Sequence, residues 1–334
     1  MDLTERVVSA RIEGSIGGLA IALVKDGELT QRFCGFADGE ENAPVTEGTI
    51  FAGASLSKPV FAYAVLKLVD LGVLSLDMPL TEFVDYAPGD AFAAEITAAH
   101  VLSHTTGFPN WRSSELPLRC YFRPGERFSY SGEGFVLLQR AVERLTGESI
   151  ELTVRRLVFE PLGMNRSTFD LTNTFDGAVG PAQSPTQASA RAHETCNAAH
   201  SLRTTAHDYA RFLQAVLVGA GLKSTTSQAW MEARTSVPAN FINCADPTSR
   251  HQTDPAVAWG LGWGLETESQ AFFQWGARDG YVSFAIGSRR DGVAFVLLTT
   301  GFTGLESLRQ LVEIALPGRR PSLAWLGRRT DLHE

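Results

Sequence analysis

The chain has 334 residues, 44% of them hydrophobic and 20% charged, which is enough for a substantial core and more than one lobe. A formal net charge of −8 provides no basic surface for phosphate backbones and argues against nucleic acid as a partner. Residues 1–30 lack a signal-peptide pattern, and the longest apolar run there, Leu19–Val24, is too short to cross a bilayer. These features predict a cytoplasmic protein without membrane contact. The cysteines are too scattered to indicate zinc or redox chemistry: Cys34, Cys120, Cys196 and Cys244.

The first predicted elements are a short amphipathic helix over residues 2–13 and a β-hairpin. Leu19–Val24 and Gln31–Ala37 are typical of strands, and Lys25-Asp26-Gly27-Glu28 lies between them. An Asp-Gly pair between two such runs is a strong hairpin signal. We therefore expect the chain to begin in a sheet.

A buried helix is predicted from Lys58 to Leu71, where almost every residue is apolar until Gly72 ends the pattern. Such a helix has no polar face, so other elements must enclose it. The tetrapeptide Ser55-Leu56-Ser57-Lys58 lies at its beginning.

The remaining pattern alternates helices, loops and strands. Helices are predicted at 134–146, 150–159, 205–218 and 304–316, long loops at 170–200 and 236–257, and strands at Trp259–Leu265, Ala271–Trp275, Tyr281–Ile286 and Val293–Thr299. Strand signals at both ends around a helical middle predict an α+β fold. We expect a sheet domain from residues 1–56 and 240–334, a mainly helical domain from 57–239, and a site in the cleft between them.

Ser55 and Lys58 are three residues apart, which places a weak nucleophile and a possible base on one face of a helix. This spacing indicates covalent catalysis. The alternative is a helix end that a serine caps, with Lys58 in solvent.

Two further segments favour the catalytic interpretation. Pro124–Gly132 places Tyr130 in a glycine-flanked turn before a helix, and Gln274–Gly280 joins two strands. Small residues in the second segment let a substrate carbonyl approach backbone N–H groups. Taken alone, each segment is also consistent with an ordinary turn.

Together these segments form an ordered set of motifs, Ser-x-x-Lys, Tyr-Ser-x and Trp-Gly-x-x-x-Gly. In this order they resemble the serine β-lactamase and penicillin-binding protein superfamily and, within it, the class C-like family VIII carboxylesterases. The resemblance covers roughly residues 15 to 315 and extends to the segments Leu102–Pro109, Pro161–Met164, Thr204–Ala210 and Trp259–Trp263. It implies an antiparallel sheet flanked by helices.

The resemblance implies that Ser55 is the acylated nucleophile, Lys58 its proton acceptor, and Tyr130 a partner in proton transfer to the leaving group. The implied oxyanion hole is the N–H of Ser55 and a second N–H between residues 276 and 278, with Arg278 preferred. A lysine must have a lowered pKa to accept a proton near pH 7.

Three positions depart from the pattern of these relatives. Gly132 stands where many lactam-processing relatives have Asn, Trp275 where Lys or His is more usual, and Ala277 where a second glycine follows Gly276. The first two departures remove groups that would bind a carboxylated lactam, although Arg278 offers another cation. They favour esters as substrates.

The sequence therefore predicts a serine hydrolase, foremost a carboxylesterase acting on small esters, with no cofactor or metal. Candidate pocket residues are Trp111, Tyr121, Phe122 and Gly132. The alternatives are a β-lactamase, a D-amino-acid peptidase or amidase, an acyltransferase, and a catalytically weak binding protein.

Two other hydrolase classes are less well supported. His100 and His104 have metal-ligand spacing but lack the glutamate of H-E-x-x-H, and no G-x-S-x-G elbow is present. The sequence leaves the oligomeric state and the acyl preference open.

Overall fold

An antiparallel sheet of eight strands forms the centre of the computed structural model, which describes residues 16–37, 43–173, 196–240, 243, 252–278, 281–301 and 305–328. The predicted helix over 2–13 and Cys244 lie outside these residues. The sheet strands are β1 Gly18–Lys25, β2 Glu28–Gly35, β5 Thr235–Pro238, β6 Thr253–Trp259, β7 Gly264–Glu266, β8 Ala271–Arg278, β9 Tyr281–Ser288 and β10 Val293–Thr300. Their order is β2-β1-β10-β9-β8-β7-β6-β5. A separate two-stranded sheet pairs β3, Phe51–Ala52, with β4, Arg203–Thr204.

The helices come from the part of the chain between β2 and β5 and from the part after β10. A 3₁₀ turn, Ala54–Leu56, leads directly into the first of them. The helices are α1 Ser57–Asp70, α2 Ala98–Leu102, α3 Gly132–Thr146, α4 Ile150–Val154, α5 Ala206–Val218, α6 Ser224–Trp230, α7 Leu305–Ala315 and α8 Pro321–Leu326. A π-helical turn, Arg155–Phe159, and one further turn, Glu160–Leu162, continue α4.

Local signals explain where these elements begin and end. The hairpin of β1 and β2 turns at Asp26 and Gly27, both in the left-handed region, as the Asp-Gly pair predicts. Helix α3 starts where Ser131 Oγ accepts a hydrogen bond from Gly134 N, and it ends at Gly147 with φ 68°. These bounds confirm the predicted hairpin, whose second strand starts three residues before the predicted Gln31, and the helix at 134–146, which starts two residues earlier.

The sheet is covered on both faces. In β10, Ala294, Val296 and Leu298 belong to the core cluster that contains α1 and α5, whereas alternate side chains such as Phe295 join a second cluster with α7 and α8. Helix α1 is buried at every residue from Ser57 to Leu66. The prediction of an enclosed helix is therefore confirmed.

The predicted strand Trp259–Leu265 is wrong. The chain reverses between β6 and β7, where Gly260 N donates to Trp263 O at 2.8 Å and Gly262 has φ 98°. A Cβ at Gly262 would lie 2.6 Å from that of Ala62, so this turn also needs glycine in order to approach α1. Parts of β5 and β6 fall in the predicted loop 236–257, and sequence pattern missed the helices α2, α6 and α8.

Strands β1 and β2 come from residues 18–35 and strands β5 to β10 from residues 235–300. The two ends of the chain therefore share one sheet, as predicted for the α+β class. The boundaries of the two domains at residues 56 and 240 stay a prediction. Within the described ranges, no helix combines the length and apolar character that crossing a bilayer requires.

Candidate active site

Ser55 lies in the middle of the 3₁₀ turn at the start of α1 and is partly exposed, whereas Ala54 and Leu56 on either side are buried. Ala54 has φ 44°, a left-handed conformation that costs an alanine about 1 kcal/mol. Two hydrogen bonds hold this turn: Ser57 Oγ donates to Ala54 O at 2.6 Å, and Ser283 Oγ donates to Gly53 O at 2.6 Å. The strained turn thus holds the Ser55 hydroxyl in place above the buried helix.

Lys58 lies directly below Ser55 and is only 2% exposed. Its Nζ donates to Ser55 Oγ at 2.9 Å and to Ala199 O at 2.9 Å, and it lies 4.7 Å from the centre of the Tyr130 ring. Burial lowers the pKa of Lys58 from 10.5 to about 7. A large fraction of the amine is therefore neutral near pH 7, and its lone pair can accept the Ser55 proton.

Tyr130 is the third member of the cluster, in the turn that precedes α3. Its buried hydroxyl is hydrogen-bonded to Ser55, and Gln274 Nε2 donates to it at 2.9 Å. Burial raises the pKa of Tyr130 above its ordinary value, although the bonds to Ser55 and Gln274 oppose this change. Tyr130 is therefore a neutral phenol near pH 7, suited to relaying a proton rather than to acting as a phenolate base.

His104 packs behind Tyr130, with ring centres 4.1 Å apart in a stacked arrangement. Its Nδ1 accepts from Ser131 N at 3.0 Å, so the neutral ring carries its proton on Nε2. Burial, together with the charge of Lys58, lowers the pKa of His104. His100 instead caps α2 through Thr97, and within the described part of the chain no three His, Cys, Asp or Glu side chains form a group that would hold a metal.

Strand β8 directs the side chain of Gln274, not that of Trp275, to the Tyr130 hydroxyl. Side chains alternate along a strand, so Gln274 and Gly276 share one face. Trp275 packs against Trp259 and Trp325, with ring centres 6.0 and 5.6 Å away, and its ring also contacts Tyr130. The expectation that Trp275 takes the position of the usual Lys or His is therefore wrong in this geometry, where a neutral amide directs its N–H to Tyr130.

Strand register also determines which backbone N–H groups of β8 are free of β9. Val282 N donates to Thr299 Oγ1 and Val282 O accepts from it, so these groups point toward β10 and away from β8. Ala277 pairs with Val282 across the two strands, so the Ala277 N–H also points away from β9. It points toward the opposite edge of β8, which β7 pairs only as far as Phe273. The register therefore turns the N–H of Ala277, rather than that of Arg278, toward this open edge; the Arg278 side chain lies outside the described residues.

Glycine at 276 allows β8 to approach the nucleophile. A Cβ there would lie 2.5 Å from Gly53 O and 2.9 Å from the Ala54 Cβ. Only a residue without a side chain permits this approach. Ala277 causes no strain, since its φ is not positive.

The four candidate pocket residues divide into two pairs. Trp111 lies over Gly132, two residues after Tyr130 in the chain, and its ring centre is 5.5 Å from that of His200. Tyr121 instead donates to Pro117 O, and the buried Phe122 ring lies under the Arg127 guanidinium. The described contacts therefore bring Trp111 to Gly132 and His200, which are close in sequence to Tyr130 and Ala199, whereas those of Tyr121 and Phe122 involve other residues.

Sequence reasoning missed Gln274, Ala199 and His200. Strand alternation was the available signal for Gln274, because residues 274 and 276 must face the same way. Ala199 contributes a backbone carbonyl from a segment 141 residues after Lys58, and no local pattern indicates that contact.

The chain is similar to known proteins over most of its length. The Beta-lactamase family matches residues 4–316. Esterase EstB of Burkholderia gladioli is 34% identical over 186 residues, which span 46% of this chain and about half, 47%, of the esterase. Penicillin-binding protein 4 of Amycolatopsis lactamdurans is 28% identical over 94% of this chain and 90% of that protein.

A solved structure extends the likeness to the fold. The octameric penicillin-binding protein homologue from Pyrococcus abyssi superposes with a TM-score of 0.75 at 22% identity, over 95% of this chain and 77% of that one. Because the family match covers nearly the whole chain and the fold agrees with it, this protein belongs to the Beta-lactamase family of serine hydrolases.

Proposed function

We propose that this protein is a carboxylesterase that hydrolyses small, apolar esters through an acyl-enzyme on Ser55. The observation that carries the proposal is the buried Lys58 amine, 2.9 Å from Ser55 Oγ and with a pKa lowered to about 7. A serine needs such a base to become nucleophilic near neutral pH.

Acylation uses the three side chains in sequence. Ser55 Oγ attacks the ester carbonyl carbon while its proton passes to Lys58 Nζ, and the N–H groups of Ser55 and Ala277 stabilise the oxyanion. When the tetrahedral intermediate collapses, the C–O bond to the alcohol breaks. The alcohol oxygen takes a proton from Tyr130, which regains one from Lys58.

Deacylation repeats these steps with water as the nucleophile. Water attacks the acyl carbon and gives its proton to the neutral Lys58 through Tyr130. The bond to Ser55 Oγ then breaks, and the same proton returns to Ser55. The products are the acid and the free enzyme.

The preference for esters is supported by what surrounds the nucleophile. Gln274 supplies a neutral amide where relatives that process carboxylated lactams use a cation, and Gly132 has no side chain to bind a substrate amide. The similarity to Esterase EstB supports the same assignment, and the motif order that resembles the family VIII carboxylesterases favours it too.

A second candidate is hydrolysis of a β-lactam or a D-amino-acid peptide. Its support is the match to Penicillin-binding protein 4, which covers more of this chain than the esterase match does. Acyl transfer to an acceptor other than water would use the same acyl-enzyme.

The test compares turnover of p-nitrophenyl acetate and of a chromogenic cephalosporin, with mass spectrometry of the intact protein to detect the acyl adduct. We expect faster ester turnover that Ser55→Ala abolishes, together with the adduct. The matched control is Ser236→Ala, an exposed serine on the edge strand β5, which should behave as wild type. Faster cephalosporin turnover would favour the second candidate, and turnover of neither substrate would favour a binding protein.

A further inference from the structure

Trp111 occupies the space that a side chain at position 132 would need. A Cβ built on Gly132 would lie 2.4, 2.5 and 2.9 Å from three carbon atoms of the indole, closer than non-bonded carbon atoms approach. Gly132 is the first residue of α3 and has no positive φ, so the backbone itself would accept alanine. Glycine is therefore required here by the indole and not by the backbone conformation.

An ion pair between the buried carboxylate of Glu133 and the half-exposed guanidinium of Arg112 holds the indole in this position. Arg112, which follows Trp111, donates from Nε and Nη2 to both oxygens of Glu133, which follows Gly132, at 2.8 and 2.6 Å. The Arg112 backbone N–H and the Tyr86 hydroxyl also donate to Glu133. Burial alone would raise the pKa of Glu133, but these hydrogen bonds hold it below its ordinary value, so the carboxylate is charged.

The indole is connected to the group of Ser55, Lys58 and Tyr130 through its neighbours His200 and Gly132, and it is open to solvent. It packs edge-on against His200, which follows the carbonyl of Ala199 that binds Lys58, while Gly132 is two residues from Tyr130. Trp111 is 38% exposed, whereas Trp230, Trp259, Trp263 and Trp325 are fully buried. Binding is favourable when an apolar group of a substrate covers such a large exposed aromatic surface.

We propose that Trp111 determines substrate specificity by packing against an apolar group of the ester, and that Gly132 is present to make room for it. This inference rests on the proposed esterase function. It accounts for the departure at position 132, since an asparagine and the indole cannot occupy the same space. The chemical class it selects is esters with an aryl or branched alkyl group near the reacting carbonyl.

The first experiment measures kcat/KM for two pairs of esters. One pair, p-nitrophenyl acetate and p-nitrophenyl phenylacetate, differs only in the acyl group, and the other, ethyl acetate and benzyl acetate, differs only in the alcohol. Trp111→Ala should reduce the preference for the aryl member of one pair about tenfold, and Trp111→Phe should retain most of it. The matched control is Phe92→Ala, an aromatic residue of equal exposure, 39%, in a different turn. Unchanged preference in both pairs would overturn the proposal.

A double-mutant cycle tests the link between the two positions. Gly132→Ala should displace the indole and reduce the same preference, but in a Trp111→Ala background it should change the preference less than twofold, because the space is then empty. Additive effects of the two substitutions would contradict the shared-space argument.

A third measurement does not need ester turnover. Boronic acids form a tetrahedral adduct with an active-site serine, so the Kd ratio of methylboronic to phenylboronic acid reports the contact directly. We expect this ratio to fall about tenfold in Trp111→Ala. If the wild type hydrolysed no ester but showed this fall, the esterase proposal would fail and the role of Trp111 would stand. Because the group on boron takes the place of the acyl group, an unchanged ratio together with an unchanged preference between ethyl acetate and benzyl acetate would overturn that role.

Discussion

Replacing Lys58 by methionine removes a buried amine while keeping most of its volume. In the folded protein burial lowers the pKa of Lys58 from 10.5 to about 7. Between these two pH values the unfolded chain holds a proton that the folded protein lacks. Stability of the wild type therefore rises with pH across this window, and the methionine variant lacks this contribution.

The difference between the two pKa values, roughly 3.5 pH units, corresponds to about 5 kcal/mol. This penalty is fully present below pH 7 and absent above the unfolded pKa. Against it, methionine leaves Ser55 Oγ and Ala199 O without their partner, which costs about 1–3 kcal/mol at every pH. The variant should therefore be the more stable protein below pH 7, and its advantage should shrink by about 1.4 kcal/mol per pH unit above it.

Urea unfolding of both proteins at about pH 6.5, 7.5, 8.5 and 9.5 measures this slope, because other titrating groups cancel in the difference. From about pH 7.5 to 9.5 the difference should move toward the wild type by about 3 kcal/mol. A difference that stays constant over this range would show that the pKa of Lys58 is not lowered, and the proton-acceptor argument would fail with it.

Three further predictions concern the same cluster and its support. In a pH–rate profile, kcat/KM for the ester should fall as pH drops through about 7, because protonated Lys58 cannot accept a proton; a rate independent of pH between about 5.5 and 8.5 would contradict this. Gln274→Leu removes the donor to the Tyr130 hydroxyl and should lower kcat about tenfold or more with little change in KM, whereas a loss confined to KM would point to substrate binding instead. Glu133→Ala should lower the free energy of unfolding by about 1–3 kcal/mol in urea titrations, because it leaves the buried Tyr86 hydroxyl without its acceptor, whereas the half-exposed Arg112 stays hydrated; a change below about 0.5 kcal/mol would show that these contacts contribute little.

Local sequence features determined most of the elements and the order of the catalytic motifs. The Asp26-Gly27 turn, the apolar run of α1 and the capping residues of α3 each act over a few neighbouring residues, so a single stretch of sequence contains the whole signal. The three-residue spacing of Ser55 and Lys58 likewise follows from the helical repeat. Where glycines interrupt an apolar run, as between β6 and β7, the periodic signal could not separate two short strands from one long strand.

Tertiary structure alone decided how those residues interact. The low pKa of Lys58 arises from burial, and the amine's contacts with Ala199 and Tyr130 join segments far apart in the chain. The roles of Gln274 and Ala277 depend on strand register, and a shift of one residue would turn each to the opposite side. The space that Trp111 takes from position 132 depends on the ion pair and on the hydrogen bonds of Asn110 with Gly132 and Glu133, which together join two segments of the chain. Distances and burial across such contacts depend on packing of the whole chain, and packing is not encoded in any local pattern.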